Sequence, residues 1–119
     1  MLNLKEREQV IEYSKKLNIT NLSPLRSGNI SVRGIQNEVE GFFITPSGKK
    51  YENLKPKDIV FLSLSEDKDF LSWFNSGKNP SSEWRFHQDI YKSKWEAKAI
   101  VHAHSPNATA VSSHGKSIP

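Results

Sequence analysis

Cysteine is absent from all 119 residues. That excludes disulfides and thiolate metal centres and leaves imidazole and carboxylate as the available metal ligands. No apolar run comes near the ~20 residues a membrane-spanning helix needs. The opening stretch MLNLKEREQV is charged where a signal peptide would be apolar. These absences lead to the expectation of a soluble, cytoplasmic protein with no membrane partner. Apolar residues are scarce as well, at 35%, and the mean hydropathy is −0.63. So the core is small, or contacts between copies or further chain complete it.

The net charge of +4 and a pI near 9.4 admit nucleic acid or a small anionic ligand as partner. However, the lysines are spread along the chain, with no Arg-rich run and no nucleic-acid-binding signature. A diffuse basic surface of this kind is ordinarily solvated charge, and the small anion is preferred.

What is present is ordered. Leu4 to Leu17 has Val10, Ile11, Ser14 and Leu17 at helical spacing. Ser27-Gly28-Asn29 is a turn signal before a strand over Ile30–Arg33, and Gly34 to Glu40 reads as a polar hairpin connection. Gly41–Thr45 makes a second strand, ended by the turn Thr45-Pro46-Ser47-Gly48. Ile59–Leu64 makes a third. Ser81 and Ser82 read as caps of a second helix, with Glu83 in its first turn. Along that helix Trp84, Phe86, His87, Ile90 and Tyr91 suit packing on a sheet. The segment AIVHAH (99–104) is the most strand-like of all, and Ser105-Pro106 is read as opening a last helix that stops near Gly115. The order helix, three strands, helix, strand, helix predicts an α/β (α+β, layered) domain over 1–119, with a central, mainly antiparallel sheet flanked by helices.

Two of the four histidines, His102 and His104, stand two apart on that strand and so face the same way. Two imidazoles aimed into one space suit a divalent metal. Each piece also has a plain reading. An HxH pair is more often structural, the Gly28-Asn29 and 45–48 segments are ordinary turns, and Ser82-Glu83 is an ordinary helix start. Their combination argues otherwise. Three turns rich in Ser, Gly and Asn offer free backbone N–H groups and hydroxyls to a phosphate. A carboxylate and two imidazoles follow. Together these are the parts a metal-assisted reaction on a sugar phosphate requires.

The set SGNISVR, ITPSGKKYENLKPKDIV, PSSEWRFHQDIY and AIVHAHSPNATAVS, in this order and spacing, resembles the class II aldolase/adducin family. Within it, the wording is most similar to the L-fuculose-1-phosphate aldolase branch. The resemblance implies retro-aldol cleavage of a ketose 1-phosphate to dihydroxyacetone phosphate and an aldehyde. It assigns Gly28, Asn29, Ser47, Gly48, Ser81 and Ser82 to the substrate phosphate. Glu83 becomes the acid/base and a ligand of the resting metal, and His102 and His104 hold one Zn²⁺ per subunit. A homotetramer is implied too. Glu83, where the related epimerases carry Asp, favours the aldolase. Retention of both histidines argues against the non-enzymatic adducin heads. An epimerase or dehydratase of the same family, or a catalytically silent phosphate-binding module, is the alternative.

The family pattern also has a third zinc histidine far downstream and continues well past Pro119, so the expectation is a chain truncated at its C-terminus. His114 matches a non-ligand position. His87 is read as a packed or surface histidine.

Overall fold

A computed structural model of the chain describes residues 3–19, 29–47, 53–64, 80–81, 83–102 and 109–112. Its elements are helix α1 (Leu4–Ile19), strands β1 (Asn29–Gln36), β2 (Val39–Ile44) and β3 (Val60–Ser63), helix α2 (Trp84–Ser93), and strands β4 (Ala99–His102) and β5 (Thr109–Ser112). The strands form one sheet in the order β3-β2-β1-β4-β5, and every neighbouring pair is antiparallel. Among the described residues no helix is long and apolar enough to cross a membrane.

The sheet is buried on both faces, and the strand period of two sorts its residues between them. One face carries Ile30, Val32, Phe43, Phe61, Ala99 and Val101, which pack with Val10, Ile11 and Tyr13 of α1. The other carries Phe42, Ile44, Val60, Leu62 and Ile100, which pack with Tyr91 of α2. The result is a three-layer helix–sheet–helix arrangement, as the element order predicts. Arg7 fixes α1 in place: its guanidinium donates to the Pro56 and Ile59 carbonyls and to Gln36 Oε1, and lies over the Phe43 ring. Gly41 allows the close approach of β2 and β3, since a Cβ there would lie 2.1 Å from the Leu62 carbonyl oxygen.

Three expectations are corrected. First, the segment read as a final helix contains a strand, β5, with Ile100 opposite Val111 and His102 opposite Thr109. The β-branched Thr109 and Val111 favour extended backbone, and pairing satisfies the edge groups that β4 would otherwise leave open. Second, the hairpin connection is two residues rather than seven, because β1 runs on to Gln36 and β2 starts at Val39. Asn37 and Glu38 both have positive φ, at 51° and 66°, as a type I′ turn requires. Third, Phe86 is 41% exposed instead of packing into the sheet.

Glycine is the usual second residue of such a turn, and a glutamate there carries the steric cost of left-handed backbone. Glu38→Gly is therefore expected to stabilise the protein by about 1 kcal/mol, read as a higher midpoint in urea with an unchanged slope. A lower midpoint would contradict the turn assignment.

Candidate active site

Asn29, Ser31 and Arg33 alternate along β1 and so project from its α2 face. Glu83, His87 and Tyr91, four residues apart, form one stripe on the facing helix. The two rows meet rung by rung. Asn29 Nδ2 donates to Glu83 Oε2 at 3.0 Å, and His87 Nε2 makes a short hydrogen bond to Asn29 Oδ1. His87 Nδ1 lies 2.6 Å from Ser31 Oγ, which lies 2.8 Å from the Tyr91 hydroxyl. Arg33 closes the row. It donates to the carbonyls of Ala97, Tyr91 and Lys94 at the C-terminal end of α2, and its guanidinium stacks over the Tyr91 ring.

His102 joins this row from β4. It is the direct antiparallel partner of Asn29, so both side chains project from the same face. Its Nε2 stands 2.9 Å from Glu83 Oε2. One carboxylate oxygen is thus held by an amide N–H and an imidazole nitrogen together. The Glu83 and His102 side chains are 34% and 24% exposed, so a ligand can reach them. The ring of Phe86 stands 5.0 Å from that of His102, an apolar wall on this side.

The start of α2 differs from the serine-capped helix expected. Glu83 itself is the N-cap, and its carboxylate makes no capping bond, because it is turned toward Asn29 and His102. Ser81 supports the entry instead, its Oγ accepting the Glu83 N–H at 3.4 Å and its carbonyl the Trp84 N–H. Ser81 N–H in turn donates to the Thr45 carbonyl, and Thr45 N–H to Ile30. Pro46 and Pro80 form an isolated bridge. These contacts bring the turn before Ser47 and the segment before Glu83 to the same end of the sheet as Asn29. Ser81 is buried and Ser47 exposed. Gly28, Gly48, Ser82, His104 and His114 lie outside the described residues.

The donor set has the right chemistry for zinc, an imidazole nitrogen and a carboxylate oxygen converging on one point. Among the described residues no group of three such ligands forms, and the expected further ligand, His104, falls outside them. Sequence reasoning read His87 as packed or surface without a further role; it is fully buried with both ring nitrogens engaged. The signal was present as the i, i+4, i+8 stripe Glu83-His87-Tyr91 facing the alternating Asn29-Ser31-Arg33. Burial, reinforced by the charge of neighbouring His102, pushes the His87 imidazolium down to about pKa 3. Burial likewise raises the Tyr91 hydroxyl, against the opposing pull of its hydrogen bond to Ser31 and of Arg33.

Comparison with known proteins gives a consistent picture. The family profile described as class II aldolase and adducin N-terminal domain matches residues 8–119. A 5-methylthioribulose-1-phosphate/5-deoxyribulose-1-phosphate aldolase of Escherichia coli O45:K1 is 39% identical over 119 residues, covering 100% of this chain and 51% of that protein. An L-fuculose phosphate aldolase of Escherichia coli K12 is 40% identical over 111 residues, covering 93% and 47%. A solved L-fuculose 1-phosphate aldolase superposes with a TM-score of 0.66 at 31% identity, covering 86% of this chain and 45% of that one. The chain spans about half the length of the relatives it matches.

A histidine held neutral in the fold and titrating near 6.5 when unfolded makes stability fall with acid. Above pH 6.5 the folded and unfolded states bind the same number of protons at this site. Below it the unfolded chain binds one more, until the folded imidazole also titrates near pH 3. In that window His87 is expected to remove up to about 1.4 kcal/mol per pH unit. Denaturant titrations from pH 6.5 to 5 should therefore show a shallower loss for His87→Gln than for the parent, by about one proton. Equal slopes would contradict the neutral, buried state.

Proposed function

The chain belongs to the class II aldolase and adducin N-terminal domain family, and from that premise we propose that it carries the acid–base and ligand residues of a zinc-dependent sugar-phosphate aldolase. Its reaction is retro-aldol cleavage of a ketose 1-phosphate to dihydroxyacetone phosphate and an aldehyde. The observation that carries the reading is the one carboxylate oxygen, Glu83 Oε2, placed between Asn29 Nδ2 and His102 Nε2. A carboxylate fixed at the mouth of a partly open site by an amide and an imidazole is suited to moving a proton at a carbon acid.

In this reading Gly28, Asn29, Ser47, Gly48, Ser81 and Ser82 bind the substrate phosphate, and His102, His104 and Glu83 hold the metal. The buried Ser81 and its hydrogen bond to Thr45 support it, since they set two of the three small-residue turns beside Asn29. A bound Zn²⁺ supplies fixed positive charge against the negative charge that develops on the ketose oxygen as the carbon–carbon bond parts. Phosphate binding holds the reacting carbons in register with Glu83. Glu83 takes up the proton that leaves the hydroxyl of the departing aldehyde carbon as the carbon–carbon bond parts, and returns it to the carbon that has lost its bond partner. The relatives' names include both L-fuculose phosphate and 5-deoxyribulose 1-phosphate, so a ketose 1-phosphate is the substrate class and L-fuculose 1-phosphate a first substrate to try. A homotetramer, as the resemblance implies, is part of the same proposal.

The test is cleavage of L-fuculose 1-phosphate and 5-deoxyribulose 1-phosphate by the complete protein, followed by dihydroxyacetone phosphate release. Glu83→Gln is expected to lower turnover by about 10²- to 10⁴-fold, with inorganic phosphate still protecting the variant thermally. An unchanged rate would refute the acid–base role.

Zinc itself is checked by metal analysis and by chelation. The expectation is one equivalent per chain, activity lost with its removal and restored by Zn²⁺. Full activity at background zinc would overturn that part of the proposal.

A further inference from the structure

The row from Glu83 to Tyr91 has a single consistent direction of hydrogen bonding, and the direction is set by what each group is able to donate. The Asn29 NH₂ faces Glu83 and donates to its Oε2 at 3.0 Å. Its carbonyl Oδ1 is thereby turned toward His87 Nε2, and a carbonyl only accepts. His87 Nε2 therefore carries the ring proton. In a neutral imidazole Nδ1 is then an acceptor, so Ser31 Oγ–H donates to it across 2.6 Å. The Ser31 oxygen in turn accepts from Tyr91 O–H across 2.8 Å. Reversing any one bond reverses all those beyond it. Were His87 the Nδ1–H tautomer, the Asn29 amide would turn over and set its carbonyl against the Glu83 carboxylate.

We propose that His87 is a positioning residue: through its Nε2–H it fixes which way the Asn29 amide points, so that Glu83 meets an N–H and not a carbonyl. His87 lies on the far side of Asn29 from Glu83 and is fully buried, so it acts through Asn29 and not on substrate. Ser31 and Tyr91 complete the device by reserving Nδ1 as an acceptor. The ring is also held by flanking aromatics, stacked with Phe42 and edge-on to Phe86, which keep it from turning over. Leaving one member of such a buried row unpaired costs more than the bond itself is worth, so the arrangement behaves as a unit.

The link to catalysis rests on the acid–base role proposed for Glu83, while the tautomer and amide orientation do not. The experiment therefore has two arms. In the first, the complete protein labelled with ¹⁵N-histidine is examined by long-range ¹H–¹⁵N correlation at neutral pH. The result expected is a neutral His87 with a protonated Nε2 and an unprotonated Nδ1. An Nδ1–H tautomer, or an imidazolium, overturns the proposal whatever the protein catalyses. In the second arm, His87→Phe keeps the ring and removes both nitrogens, and His87→Gln returns an amide donor near the Nε2 position. The expectation is a kcat lowered about 10- to 100-fold in the Phe variant, with KM within about twofold of the parent. The Gln variant should recover most of the loss. An active parent whose Phe variant keeps full kcat overturns the proposal, and so does a Gln variant no better than Phe. Should the Phe variant fail to fold, the Gln variant beside Ser31→Ala decides. Ser31→Ala removes only the donor to Nδ1 and leaves the Nε2–H bond to the Asn29 carbonyl in place. A retained Nε2–H tautomer is therefore expected there, with the Gln variant keeping most of the parent kcat; an Nδ1–H tautomer, or a Gln variant that has lost the activity, overturns the proposal. A parent that cleaves no ketose 1-phosphate but shows the Nε2–H tautomer refutes the aldolase reading and supports the amide-orienting role of His87.

Discussion

The molecule depends on a match between two repeats. Two residues of an extended strand advance by roughly 6.6 Å, and four residues of an α-helix by roughly 6.0 Å. Over the length of β1 and α2 the two steps stay nearly in phase, so Asn29, Ser31 and Arg33 each find a helix partner in Glu83, His87 and Tyr91. Ser31, His87 and Tyr91 are all buried in this seam, where a polar group without a partner would cost about 1–3 kcal/mol. The seam is stable because each member's bonding capacity is taken up by its neighbour. It also holds the helix in one axial position. A slide of α2 by one turn would leave several of these groups unpaired at once.

Anchoring at the two ends of α2 is of opposite kinds. At the C-terminal end Arg33 donates to the Tyr91, Lys94 and Ala97 carbonyls, a cation placed where the helix dipole favours one. At the N-terminal end the cap residue Glu83 makes no side-chain capping bond, and forgoing one costs about 1 kcal/mol. The carboxylate that would have capped the helix faces Asn29 and His102 instead. Local stability is given up at the one position where the proposed chemistry needs a carboxylate, and Ser81 and Arg33 hold the helix in compensation.

Much of this was legible in the sequence, and the misses have physical causes. Helical spacing located α1 and α2, and short apolar runs bounded by turn signals located the first four strands, since a strand covered on both faces need not alternate. Glu83 and His102 were marked by residue type and spacing, and the structure brings them together at 2.9 Å. The last segment was misread because Ser105-Pro106 is a helix-start signal in isolation, while the pull toward a strand at Thr109–Ser112 comes from the open edge of β4, which is not local. The hairpin was misplaced because Asn37-Glu38 lacks the glycine that usually announces a type I′ turn. His87, read as packed or surface, is packed; what that reading left out is that both of its nitrogens are in use, which only the facing serine and asparagine show.

A strand covered on both faces usually reads as an unbroken apolar run. Strand β1 departs from that: Ile30 and Val32 are apolar toward α1, whereas Asn29 and Ser31 are polar toward α2, and all four are buried. Core and site are thus encoded by the two phases of one strand, and a slip of a single residue would exchange them. Such a slip would set Ile30 and Val32 against Glu83 and His87 and bury Asn29 and Ser31 under α1, so both faces would fail together. The pairing of β1 with β2, held from Ser31–Ile44 through Gln36–Val39, and that of Asn29 with His102 therefore do more than build the sheet. They determine which phase of β1 faces the helix, and through it the direction in which Asn29 meets the carboxylate.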